Sequence, residues 1–108
     1  MKSVENLCWV YITAGSFEEA KNIGQKLVKE SLAACINLFE NMTSIYKWGD
    51  KLEEGREVIM IAKTRKTLMP KLIEKVNSLH SYDCPCILEL PIQGGNPDFL
   101  SWIERETS

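Results

Sequence analysis

The segment from His80 to Cys86 holds the residues best suited to metal chemistry. It places an imidazole at His80 and two thiols at Cys84 and Cys86. Soft thiolates and imidazole together favour copper or zinc, so these three side chains are candidate ligands for copper or another divalent metal ion. A structural interpretation stays open, with the cysteines as small core residues and His80 as a helix-end histidine, because a convincing zinc site needs a second cysteine pair.

A second group of polar and aromatic residues could bind a small molecule. Tyr46 and Trp48 lie two positions apart, so a strand would present both rings on one face. Asn37 interrupts an apolar run, Lys63 ends an apolar strand where it could face an anion, and Tyr82 adds a third ring. The structural alternatives are an aromatic interface, a backbone-bonded Asn37 and a solvated strand end at Lys63.

Nucleophilic catalysis has little support in the sequence, because the chain contains one histidine. A Ser-His-Asp or Cys-His arrangement would have to use His80, and the sequence shows no second group that would orient its ring. We therefore expect a binding protein and not an enzyme. A hydrolase that uses His80 as a general base remains an alternative.

Hydrophobic patterns and capping signals predict four strands and three helices. The predicted strands are residues 7–13, 33–48 with an irregularity at 40–42, 56–64 and 86–91, and the predicted helices are residues 16–31, 67–80 and a short closing helix from Asn96. Ser16 and Thr67 are the expected N-caps, and Gly49-Asp50 and Glu54-Gly55 are the expected turn signals. This order predicts an α+β fold, a single domain over residues 1–108 with a ferredoxin-like βαββαβ antiparallel sheet and an additional C-terminal helix.

The composition argues against several classes of partner. The chain has 108 residues and a formal net charge of -2, without the basic excess that binding to nucleic acid or to an anionic membrane requires. No apolar run approaches the roughly 20 residues of a membrane span. Residues 1–6 show no secretory cleavage pattern, so we expect a cytoplasmic protein whose four cysteines are reduced.

The predicted sheet has more apolar surface than its helices can cover. Both crossover helices of a ferredoxin-like fold pack on one face, yet residues 7–12 and the pair Ile59 and Ile61 are apolar on both faces. One short closing helix covers only part of the second face. A homo-oligomer that buries the remainder is therefore expected.

Several motifs, in order along nearly the whole chain, resemble the CutA family of divalent-cation tolerance proteins. The matching segments are Leu32-Ala33-Ala34-Cys35-Ile36-Asn37, Ile45-Tyr46-Lys47-Trp48-Gly49-Asp50-Lys51-Leu52 followed by Glu57, Lys63-Thr64, Leu79-His80-Ser81-Tyr82-Asp83-Cys84-Pro85 and Ser101-Trp102. The resemblance implies a homotrimer with paired hairpins, similar in architecture to the PII signalling proteins. It also implies a role in metal-ion response with copper binding and without an established reaction.

The chain departs from the family pattern at its metal ligands. Ile12 stands where some members have a copper-ligand cysteine, and Leu79 replaces a second histidine. The resemblance therefore carries over His80 alone, with Cys84 and Cys86 as candidates to replace the missing ligands. We expect a homotrimeric metal-ion-binding module that needs no metal to fold. Its main rival is a PII-like trimeric sensor of a small anionic ligand, bound between subunits by residues that include Asn37, Tyr46, Trp48, Lys63 and Tyr82.

Overall fold

A computed structural model describes residues 6–108 of the chain. The expected cytoplasmic location rests on residues 1–6, which lie almost wholly outside the described residues. The strands are β1 (Leu7–Ala14), β2 (Cys35–Trp48), β3 (Lys51–Arg65) and β4 (Ile87–Pro91), and the helices are α1 (Phe17–Lys29), α2 (Met69–Leu79) and α3 (Pro97–Glu106). The strands form one antiparallel sheet in the order β2-β3-β1-β4. The predicted ferredoxin-like α+β fold with its extra C-terminal helix is confirmed. None of the described helices is long and apolar enough to cross a membrane.

One face of the sheet carries the main core. Alternate residues of β1 and β3 point to this face, and their apolar side chains pack under α1 and α2. The fully buried members include Val10, Ile12 and Met60 from the strands and Ile23 and Leu72 from the helices. Val58, Met60 and Ala62, at alternate positions of β3, all belong to this core.

The opposite face is largely uncovered and is called the open face below. Ladder pairing places Trp9, Lys63 and Cys35 side by side on it. The helix α3 covers one end, where Ile103 packs against Leu7. Farther along, Phe39 is 54% exposed and Leu88 is 56% exposed. The open face therefore has apolar surface that this chain does not bury itself.

The hairpin of β2 and β3 is longer than the sequence predicts. The chain turns at Gly49-Asp50, and Gly49 has the positive φ of 64° that suits glycine at a tight turn. The second expected turn, at Glu54-Gly55, is wrong, because Gly55 continues the strand opposite Ser44. The irregularity at 40–42 is confirmed as a break in register between Phe39 and Met42.

Two of the three predicted N-caps agree with the structure. The Ser16 hydroxyl accepts a hydrogen bond from the Glu19 N–H, and the Asn96 side chain accepts one from the Asp98 N–H. The end of α2 at His80 is also as predicted. Thr67 is not the cap of α2, because residues 66–68 form a 3-10 turn that runs directly into the helix.

Candidate functional site

His80 is buried where α2 ends, with both ring nitrogens in hydrogen bonds. The Nε2 atom lies 2.7 Å from the Thr13 carbonyl oxygen, so Nε2 carries the proton and donates. The Nδ1 atom accepts from the Tyr82 N–H at 3.1 Å. The imidazole therefore ties the loop after α2 to the end of β1 and has no free lone pair for a metal ion or a substrate proton.

Glu19 of α1 holds the same loop from the other side. Its carboxylate accepts hydrogen bonds from the Ser81 N–H at 2.6 Å and from the Ser81 hydroxyl at 3.1 Å. Burial alone would raise the pKa of Glu19, but these two bonds and the nearby His80 ring lower it below its ordinary value. The carboxylate is thus kept ionised, and the first residues of the loop are fixed to α1.

Tyr82 connects the loop to the hairpin through Glu57. The Tyr82 hydroxyl donates to one carboxylate oxygen of Glu57 at 2.9 Å, and the Ser44 hydroxyl donates to the other at 2.6 Å. Burial, together with the hydrogen bond to Glu57 and its charge, raises the pKa of Tyr82 to about 12. Glu57 is therefore an oriented carboxylate between the loop and the hairpin.

A cleft of about 720 Å³ lies between the hairpin and the loop. We call it the open-face cleft, and its lining residues are Tyr11, Thr13, Ser44, Ile45, Tyr46, Trp48, Gly55, Arg56, Glu57, Tyr82, Asp83, Cys84 and Cys86. It contains four aromatic rings, two carboxylates and two thiols. Its volume is within the range typical of small-molecule sites.

Five of the eight predicted site residues line this cleft. They are Tyr46, Trp48, Tyr82, Cys84 and Cys86. Asn37 and Lys63 lie outside the lining, where the Lys63 ammonium donates to the Asn37 side-chain oxygen. His80 sits behind Tyr82, with ring centroids 4.7 Å apart. The structure therefore separates the aromatic residues from the lysine that the sequence placed beside them.

The two thiols of the cleft differ in exposure. Cys84 is exposed, whereas Cys86 is half-buried. Burial and then the charge of Glu57 raise the pKa of Cys86 above its ordinary value, so this thiol is harder to ionise. Within residues 6–108, no three histidine, cysteine or acidic side chains are grouped so that they could hold a metal ion.

Sequence reasoning missed Glu57 and Glu19 as organisers of the site. Glu57 was visible as a charge at the start of an apolar strand, and Glu19 was visible as part of a capping pattern. Their partners Tyr82 and Ser81 are 25 and 62 positions away along the chain. Only the tertiary fold brings these pairs together.

The fold and the cleft define a class of protein, a ferredoxin-like domain with a long hairpin and a ligand-sized cleft on its open sheet face. The sequence profile described as CutA1 divalent ion tolerance protein matches residues 8–106. The chain belongs to this family.

Individual relatives agree. The divalent-cation tolerance protein CutA of Thermus thermophilus is 43% identical over 98 residues, which are 91% of this chain and 95% of that protein. The mouse protein CutA is 41% identical over 97 residues, or 90% of this chain. This chain spans about half the length of the mouse and Arabidopsis thaliana relatives, 55% and 54% respectively.

Solved structures of relatives have the same fold. The crystal structure of CutA1 from Oryza sativa superposes with a TM-score of 0.94 at 36% identity and covers 98% of each chain. The structure of CutA from Archaeoglobus fulgidus, a protein described as periplasmic, has a TM-score of 0.91 at 39% identity and covers 94% of this chain and 99% of that one. The Arabidopsis relative is described as chloroplastic.

Proposed function

We propose that this chain is a homotrimeric, cytoplasmic module of metal-ion response that binds copper or another soft cation without catalysing a reaction. The observation that carries this proposal is the position of Cys84 and Cys86, which both line the open-face cleft beside Glu57. Paired thiols are suitable ligands for Cu(I). Membership of a divalent ion tolerance family supports a cation as the ligand.

The ligand set differs from the one that the sequence predicts. His80 does not fit as a ligand, because backbone groups occupy both of its ring nitrogens. The two thiols supply two donors, fewer than the three or four protein ligands of a typical zinc site. A complete cation site would therefore take further donors from a second copy of the chain, and His80 would serve to position the loop.

The proposed trimer has support in the apolar surface that one chain leaves uncovered. The outer strands β2 and β4 each have one edge without a partner strand in the described chain. At the hairpin end, Trp48 is 75% exposed and Leu52 is 73% exposed. Exposed strand edges and large apolar side chains of this kind are typical of surfaces that associate.

We also propose that the protein does not catalyse a reaction. A hydrolase would need His80 as its general base, but Nδ1 of His80 already accepts a hydrogen bond from the Tyr82 backbone N–H. This use of the ring supports a structural role for the histidine. Failure of the protein to turn over ester and phosphate panels would agree with it.

Titration with Cu(I) under reducing conditions tests the proposed cation site. We expect the wild-type protein to bind the ion and the Cys84→Ser/Cys86→Ser variant to lose binding, because serine does not supply a thiolate. A Cys35→Ser variant is the matched control, since Cys35 does not line the cleft. Unchanged stoichiometry in the double variant would overturn the thiol site.

The molar mass in solution tests the proposed trimer. Light scattering at micromolar concentration is expected to give three times the mass of one chain, and Leu88→Glu should shift the mass towards one chain by placing a charge on the open face. Val28→Glu is the control, because Val28 is exposed on α1 instead. A wild-type protein that stays a monomer contradicts the proposal.

A small-ligand sensor is the second candidate function. It is favoured by the three predicted aromatic residues, Tyr46, Trp48 and Tyr82, which line one cleft together. The sequence predicted that such a sensor binds a small anion. An anionic ligand has less support, because Lys63 is paired with Asn37 outside the lining of the cleft. A thermal-shift screen with nucleotides and small acids tests this candidate, and flat melting curves would count against it.

A further inference from the structure

The open-face cleft presents aromatic rings together with an oriented acid. Tyr11, Tyr46, Trp48 and Tyr82 line it, and Glu57 lies among them. The faces of aromatic rings carry partial negative charge, and they attract cations within about 6 Å of the ring centre. A carboxylate surrounded by such rings is a suitable environment for a positively charged group with an apolar body.

Glu57 keeps part of its hydrogen-bonding capacity for a ligand. An ionised carboxylate has about four acceptor positions, and Glu57 uses one on each oxygen for Ser44 and Tyr82. These two hydroxyl groups hold the carboxylate in place without neutralising its charge. An incoming ammonium group could therefore bind the remaining positions of an oriented acceptor.

The charged side chains around the cleft also favour a cation. Glu57 and Asp83 are both acidic, and the basic lining residue, Arg56, donates its Nη1 hydrogen to the Asn41 side-chain oxygen. The field in the cleft therefore opposes negative charge.

We propose that the open-face cleft binds a small organic ammonium ion with an aromatic or aliphatic body. The ammonium group would lie against Glu57, and the body would pack on Trp48 and the tyrosines. This site goes beyond metal-ion response, but it shares the open-face cleft with the proposed thiol site, and it rests on that cleft staying open to ligands in the proposed trimer. A volume of about 720 Å³ has room for an organic ligand, whereas no group of three metal-ligating side chains was found in residues 6–108.

Three probes of nearly equal size and different charge test the proposal. They are benzylammonium, benzyl alcohol and benzoate, each titrated into the 108-residue chain at neutral pH with binding followed by ligand-observed NMR. Benzylammonium is expected to bind about ten-fold more tightly than either of the others, the ratio that one desolvated cation–π contact or ion pair gives. Tighter binding of benzoate, equal binding of all three probes or no binding of any would each overturn it.

Variants identify where the ammonium ion binds. Glu57→Gln should abolish the preference for the cation. Trp48→Ala should weaken the binding of benzylammonium about five-fold, the effect of losing an exposed cation–π contact. Leu52→Ala is the matched control, because Leu52 is a similarly exposed side chain of the same hairpin outside the cleft lining. If Trp48→Ala and Glu57→Gln both bind benzylammonium as the wild type does, the site is wrong.

Titrations of one cysteine variant with benzylammonium and with Cu(I) separate this site from the proposed metal site. Cys84→Ser/Cys86→Ser changes two lining residues but leaves Glu57 and the rings in place, so the variant should keep the preference for benzylammonium over benzoate while losing Cu(I). Loss of Cu(I) binding with retained ammonium binding supports both proposals. Retained Cu(I) binding in the double variant would overturn the thiol site alone.

Discussion

Replacement of His80 by alanine is expected to lower the free energy of unfolding by about 3 kcal/mol. The ring is buried, and its loss leaves a cavity between α2 and β1. It also leaves the Thr13 carbonyl and the Tyr82 N–H without the partners that they have in the native protein. Buried polar groups without partners cost about 1–3 kcal/mol each, so the effect should exceed that of an average surface substitution.

Urea unfolding at fixed protein concentration measures this loss, with Asn77→Ala in the exposed part of α2 as the control. Cu(I) titration of the same variant then separates the two roles of the histidine. A structural His80 predicts a destabilised protein that still binds Cu(I). A variant of normal stability that no longer binds the ion would show that His80 is a ligand.

Much of the fold follows from local signals in the sequence. Ser16 and Asn96 cap their helices because side-chain acceptors bind backbone donors two or three residues away. The apolar residues on both strand faces also predict the open face correctly. Each of these features depends on neighbours in sequence or on a simple period.

The errors occur where long-range pairing overrides a local signal. Glu54-Gly55 resembles a turn, yet the β2 ladder opposite it keeps Gly55 extended. Thr67 resembles a cap, yet the chain enters α2 through a 3-10 turn. For the site, the spacing of Tyr46 and Trp48 predicted both rings on one face of a strand, and both line the open-face cleft. The sequence pointed to Lys63 as the charged residue near these two rings. The tertiary structure places Glu57 beside them instead.

Arg65, at the end of β3, has an importance that its sequence neighbourhood does not reveal. Its guanidinium donates to the Thr107 hydroxyl at 3.0 Å, to the Glu104 carbonyl oxygen and to the Ser108 hydroxyl at 3.1 Å. All three acceptors lie at the C-terminal end of α3. This helix covers one end of the open face, so Arg65 fixes the part of that face that the chain buries by itself.

Arg65→Met is expected to lower the free energy of unfolding by about 2 kcal/mol, the contribution of a few charge-assisted hydrogen bonds in a partly exposed position. Methionine retains the length and apolar character of the side chain and removes the donors. Hydrogen exchange should show faster opening of α3 amides while those of β1 and β3 keep their protection.

Arg105→Ala is the matched control, because Arg105 is an exposed arginine on α3, the helix that Arg65 contacts. It should leave both the unfolding free energy and the exchange rates of α3 within error of the wild type. If Arg65→Met behaved in the same way, the guanidinium would have no part in holding α3. The contacts of Ile103 with Leu7 and Ala34 would then be sufficient to hold the helix on the open face.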